Sequence, residues 1–195
     1  MKPELILDVH VMYGAKTLAG TGAGKAFLPK LIEASAAVRS QGVIAVDLRK
    51  TDLVTASFFR ASFKAFRDYG RNHEDFFVVH VCRDKASIEE VTAYANDVAD
   101  AFVFADLDEN GDVVRPFLVG VLEEKQKRAL NALTEIGEAD ASTLFSRYPE
   151  EPPLSTSAAW SNRLAALSQK GLVRERIEGR SKYYWPIFKD IRYGL

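Results

Sequence analysis

Over the first 120 residues, short unbroken apolar runs alternate with apolar positions at helical spacing. Leu5-Ile6-Leu7-Asp8-Val9-His10-Val11 predicts a strand. The Gly-rich stretch Gly20-Thr21-Gly22-Ala23-Gly24 predicts a loop entering a helix over residues 25–39, with Phe27, Leu31, Ala34 and Val38 on one face. Val43-Ile44-Ala45-Val46-Asp47-Leu48 lacks polar alternation, the pattern of a strand buried on both faces. A helix over residues 57–69 follows, striped by Phe58, Phe59, Phe63 and Phe66, and Phe76-Phe77-Val78-Val79-His80-Val81 is a second buried strand. Ser87-Ile88-Glu89-Glu90 matches a capping box, with Ser87 opening a helix to about residue 99. Residues 102–107 and 113–119 predict a hairpin around Asp108-Glu109-Asn110-Gly111-Asp112. Strands alternating with helices imply an α/β unit with a substantially parallel sheet.

The pattern changes after Gly120. Residues 122–136 predict a helix ending near Gly137, and residues 140–148 a short helix capped by Asp140 or Ser142. Pro149-Glu150-Glu151-Pro152-Pro153 cannot be helical throughout. A third helix is expected from Ser155-Thr156 to Gly171, a suitable C′ residue. Strands at 172–177 and 183–187, joined by Glu178-Gly179-Arg180-Ser181, complete the segment. Within the third helix, Trp160, Leu164 and Leu167 share one face and are expected in the core.

At 195 residues the chain exceeds the usual single-domain size, and two domains are expected, 1–120 and 121–195. Hydrophobic residues at 47% and charged residues at 27% suffice for packed cores and exclude a disordered chain. No apolar run approaches the roughly 20 residues that cross a bilayer. Met1-Lys2-Pro3-Glu4-Leu5 reaches an acid too early for a secretory signal, and Cys82 is the single cysteine, so no internal disulfide framework exists. These features predict a cytoplasmic protein without a membrane partner.

Charge is unevenly spread. Residues 155–189 hold seven basic side chains (Arg163, Lys170, Arg174, Arg176, Arg180, Lys182, Lys189) against Glu175 and Glu178. Such a local excess is the electrostatic footprint expected of a polyanion-binding surface. Thr156, Ser157, Ser161 and Asn162 lie in the N-terminal half of the third helix, where short polar side chains suit base edges and phosphates. Arg163 borders them and is expected to reach a phosphate or a guanine edge, while Arg174, Arg176, Arg180 and Lys182 are expected to line the hairpin along a phosphate backbone.

Ser161-Asn162-Arg163-Leu164-Ala165-Ala166-Leu167-Ser168-Gln169-Lys170-Gly171-Leu172-Val173, followed by Arg174, Arg176 and Arg180, resembles winged-helix transcription regulators of the multiple-antibiotic and arsenic repressor groups. The resemblance covers about residues 122–188. It implies a small α+β winged helix-turn-helix domain that binds double-stranded DNA, commonly as a homodimer on paired half-sites. The metal-sensing cysteines of the arsenic repressors are absent, so that chemistry does not transfer.

Gly42-Val43-Ile44-Ala45-Val46-Asp47-Leu48-Arg49-Lys50-Thr51-Asp52-Leu53-Val54-Thr55-Ala56-Ser57-Phe58-Phe59 resembles the core signature of STAS domains, the fold of anti-sigma-factor antagonists. It is closer still to a STAS-like family found beside signalling and DNA-binding modules. The resemblance covers about residues 4–107 and implies an α/β sandwich with a mixed sheet that senses a regulatory protein or small ligand. In the antagonists a serine at the position of Ser57 is phosphorylated, which switches binding through added charge. Here Thr55-Ala56-Ser57-Phe58 replaces Asp-Ser-Ser-Gly, so the acid and the glycine are gone and Ser57 is expected to cap its helix, with phosphorylation as the alternative.

Other motifs fail on chemistry. A phosphate loop ending at Gly24-Lys25 needs glycine at 19 and a hydroxyl at 26, and both positions are alanine. A calcium loop beginning at Asp106 would place Phe117 at its bidentate position. His10, His73 and His80 lack metal-ligand spacing with Cys82, and His10 and His80 are expected as satisfied structural histidines in strands. No nucleophile–base pair is readable, so neither catalysis nor a cofactor or metal is expected. The leading expectation is a DNA-binding transcription regulator with a STAS-like sensing domain. The alternative is a protein-interaction adaptor in a partner-switching or signalling complex.

Overall fold

Buried on both faces, the apolar runs near residues 43–48 and 76–81 become central strands of a six-stranded sheet in the computed structural model of the chain, which describes residues 1–151 and 156–193. The sheet runs in the order β1 (Leu5–Asp8), β3 (Val43–Asp47), β5 (Phe77–Val81), β6 (Ala101–Leu107), β7 (Val113–Gly120), β11 (Arg192–Tyr193). The first four are mutually parallel, β6 and β7 form the antiparallel hairpin, and β11 returns parallel to β7. A two-strand parallel pair, β2 (Thr17–Leu18) with β4 (Leu53–Val54), lies apart from this sheet. The chain is thus an α/β protein with a mixed, mostly parallel sheet.

The first of two compact units comprises Met1–Val121 and the chain from Ile191 onward, and the second comprises Leu122–Asp190. In the first, Phe27 from α2 (Thr21–Ser35) meets Phe58, Phe59, Phe63 and Phe66 over the sheet, each almost wholly buried. Burying one such ring is worth roughly 1.5–3 kcal/mol. Phe58, Phe59, Phe63 and Phe66 lie on one continuous helical stretch made of α3 (Ala56–Phe59), a π-helical turn (Arg60–Lys64), α4 (Ala65–Tyr69) and a second π turn (Gly70–Glu74).

Three local expectations need correction. Residues 9–13 do not extend the first strand but form α1 (Val9–Tyr13), because Asp8 accepts a hydrogen bond from the Val11 amide at 3.1 Å and caps it. His10 is therefore helical. Of the Gly-rich stretch, Gly20 is the N-cap and residues 21–24 are inside α2, and Gly24 is buried where a Cβ would lie 2.8 Å from the Phe58 carbonyl and 2.9 Å from the Ala61 Cβ. That glycine serves close helix packing. Finally, α5 (Lys85–Asp97) begins earlier than expected: Asp84 caps it, accepting from both the amide and the hydroxyl of Ser87 at 2.7 Å. The Ser87 hydroxyl oxygen in turn accepts from the Val54 amide, tying α5 to β4.

The second unit has the order α6 (Glu124–Ile136), β8 (Ala139–Asp140), α7 (Ala141–Arg147), α8 (Ala158–Gln169), β9 (Val173–Glu178), β10 (Ser181–Pro186). Its antiparallel sheet runs β8-β10-β9. Asp140 caps α7 by accepting from the Thr143 amide at 2.8 Å. Leu130, Leu133, Leu144, Trp160, Leu164, Leu167 and Val173 are fully buried and form the core under the sheet. The expected helix start at Ser155 and the expected loop prolines at 152 and 153 lie outside the described residues. Among the described residues no helix is long and apolar enough to cross a membrane.

Candidate nucleic-acid interface

Helix α8 buries Trp160, Arg163, Leu164, Leu167 and Ser168 and leaves Ala158, Ser161, Asn162, Ala165 and Gln169 exposed. The two sets are the opposite faces that a 3.6-residue period creates. Thr156 is exposed before the helix, and its hydroxyl accepts from the Ala158 amide at 3.4 Å. Ser157 is half-buried at the N-cap, makes no side-chain cap, and its carbonyl accepts from the Ser161 amide. Of the helical residues proposed for base contact, Ser161 and Asn162 are open to solvent.

Arg163 is not. It is 7% exposed, forms a bidentate ion pair with Glu150 (Nη2 to Oε2, 3.0 Å), and lies 5.1 Å over the Trp160 ring. The periodicity explains this, since position 163 falls three residues after Trp160 and four before Leu167. Arg163 therefore braces the fold, and its place among the expected DNA contacts is corrected. In return, its guanidinium holds the Glu150 carboxyl below the usual carboxylate range.

The hairpin keeps its cations, but most are occupied. Register pairs Arg174 with Trp185, Arg176 with Tyr183, and Lys182 with Ile177. Strand alternation then puts Arg174 and Arg176 on one face and Lys182 on the other. Arg176 is exposed and bonded to Glu138 at 2.7 and 3.0 Å, with Glu178 at 3.3 Å. That carboxylate pairing raises its pKa. Lys182 pairs with Glu175 at 2.7 Å, and Arg174 is half-buried. Arg180 stands at the turn, exposed, with no ion pair among the described residues. Gly179 beside it has φ +62°, the left-handed value required at the first central position of a two-residue II′ turn.

Two contributions were missed from sequence. Glu138 and Glu150 lie outside the basic stretch, so the excess at 155–189 overstates the field: Leu122–Asp190 holds 11 basic residues against 10 acidic. Helix α7 exposes Ser142, Thr143, Ser146 and Arg147, donors of the kind that meet phosphate oxygens. The i, i+1, i+4, i+5 spacing of these four on a short helix was the available signal.

In the first unit, Ser57 is not the cap. Thr55 holds that position, accepting from the Phe58 amide at 3.4 Å, while the half-buried Ser57 hydroxyl lies 3.2 Å from the Thr55 hydroxyl. Glu90 accepts from the adjacent Ala56 amide at 3.0 Å, so a carboxylate already occupies this helix start. His80 is wholly buried among Phe59, Phe63, Phe102 and Phe104. Its Nδ1 is 3.2 Å from the Val103 carbonyl, and its Nε2 has no hydrogen-bond partner among the described residues, so the expectation of a satisfied histidine holds for one nitrogen only. Burial pushes its pKa down to about 3. The buried Cys82 thiol is pushed up to about 11 by desolvation, which leaves it protonated and unreactive at neutral pH. Among the described residues no group of His, Cys, Asp and Glu side chains is placed to hold a metal ion.

No protein-family model matches this chain, and no curated protein matches it.

Proposed function

We propose that the second unit is a winged helix-turn-helix module that binds double-stranded DNA, and that the first is a STAS-like regulatory domain controlling it. The observation that carries this reading is the surface of α8. Its exposed face is uncharged and, up to Ala165, short-chained, and the β9–β10 hairpin packed against the same helix ends on Arg180, which has no ion pair among the described residues. Small polar side chains let a helix enter the major groove, and a cation at a hairpin tip supplies a phosphate contact without sequence information. The element order and the β8-β10-β9 sheet support the same module. A pair of such chains would read two half-sites.

The test is a titration of the full chain against a labelled duplex at stepped salt concentration. The reading predicts binding that weakens with salt, with a slope reduced by about one when Arg180→Ala removes one phosphate contact. Absence of binding at low salt contradicts it.

A second reading, an adaptor in a partner-switching or signalling complex, is favoured by one observation. Glu138, Glu178 and Glu175 neutralise Arg176 and Lys182, which lowers the long-range attraction to phosphates. A stoichiometric protein partner co-purifying without nucleic acid would favour this adaptor.

A further inference from the structure

We infer that α8 selects A·T base pairs, with Asn162 as the adenine-reading side chain and the Ala158 and Ala165 methyl groups against thymine; this rests on the DNA-binding reading above. The exposed face of α8 offers no cation and no carboxylate, because Arg163, the sole charged residue of the helix, is turned into the core against Glu150. Guanine is read chiefly by Arg or Lys donating to O6 and N7, and cytosine by carboxylates accepting from N4. Neither side-chain type is present on this face. What it does offer is two carboxamides, Asn162 and Gln169, which match the donor–acceptor pair N6/N7 of adenine, and methyl groups, which match the thymine C5 methyl. Gln169 is the last residue of the helix, so the reading role falls to Asn162 in its N-terminal half.

Geometry limits the number of bases involved. Ala158, Ser161, Asn162 and Ala165 fall at i, i+3, i+4 and i+7, so they form one strip about 10 Å long at 1.5 Å per residue. With base pairs about 3.4 Å apart, that strip covers roughly three of them. Ser161, which donates or accepts equally, adds position without discrimination. Asn162 lies just over one turn from the helix start, the half of a reading helix that reaches base edges.

The experiment is fluorescence anisotropy of the full chain with two labelled duplex pools of equal length, identical except for a central block randomised over A·T or over G·C pairs. Tighter binding to the A·T pool, by about five- to a hundredfold, is expected from one bidentate amide–adenine pair. Asn162→Ala, an exposed substitution that does not lower the melting temperature, removes that preference and keeps the salt-dependent remainder. Replacing adenine by 7-deaza-adenine, which lacks the N7 acceptor, reproduces the loss with the unaltered protein. Equal affinity for both pools, or preference for G·C, overturns the A·T inference alone. Full A·T preference in Asn162→Ala overturns the assignment to that residue. No affinity for either pool at low salt overturns the DNA-binding reading, and this inference with it.

Discussion

Arg163 and Glu150 are 13 residues apart in sequence and form a bidentate ion pair in which both side chains are nearly covered, 7% and 11% exposed. The pair fastens the N-terminal half of α8 to the chain following α7 and takes the helix's one charge off its outer face. Removing one partner strands the other. Arg163→Ala should therefore lower the stability of the chain by about 3 kcal/mol in urea unfolding. Substitution of the exposed Asn162 by alanine should not lower the midpoint, and the gain in helix propensity is at most about 0.7 kcal/mol.

Glu138 competes with phosphate for Arg176. Glu138→Gln should leave that guanidinium with Glu178 as its one remaining carboxylate and tighten DNA binding at low salt, an effect that fades as salt rises. Arg176→Ala should cost less affinity than Arg180→Ala, because Arg180 surrenders no carboxylate when it meets a phosphate. The salt series of the three variants checks this order.

Gly24→Ala improves helix propensity by about 1 kcal/mol, yet the new Cβ would press on the Phe58 carbonyl and the Ala61 methyl at under 3 Å. The clash should win, with a net loss of roughly 1–3 kcal/mol in thermal or urea unfolding. Lys25→Ala, exposed on the same helix, should leave stability and nucleotide affinity unchanged, since Gly24-Lys25 lies within a helix and not in a phosphate loop.

His80 gives a pH signature. Its folded pKa, about 3, lies below the ordinary value of 6.5 expected when unfolded. Between these values the unfolded chain binds the extra proton, so stability is full above pH 6.5 and falls as the pH drops toward 3. The loss is on the order of several kcal/mol. The difference between wild type and His80→Phe in urea midpoint, followed from pH 7 to pH 4, should isolate this contribution from the carboxylates. A constant difference would contradict it.

The sequence makes the architecture of the first unit visible where burial is two-sided. Residues 43–48 and 76–81 contain almost nothing but apolar residues because helices and sheet neighbours leave them no solvent face. The hairpin around residues 108–112 and the core triad Trp160, Leu164 and Leu167 were equally visible, from turn chemistry and helical period. Val9 and Val11 read as strand because β-branching outweighed the cap at Asp8. β8, at two residues, is too short to carry a pattern. Arg163 carries a charge that points to solvent and a spacing from Trp160 that points to the buried stripe, and the spacing prevails because Glu150 neutralises the charge. The carboxylates of Glu138 and Glu150 could not be assigned to Arg176 and Arg163 from sequence, because those pairings span 38 and 13 residues and depend on tertiary packing.

Hydrogen–deuterium exchange of the full chain with and without a saturating duplex tests the account most directly, since it locates the contact as well as detecting it. Protection should appear over residues 158–165 and at the turn around Arg180. Binding that protects only segments of the first unit, or a chain whose exchange a duplex leaves unchanged at low salt, would contradict it.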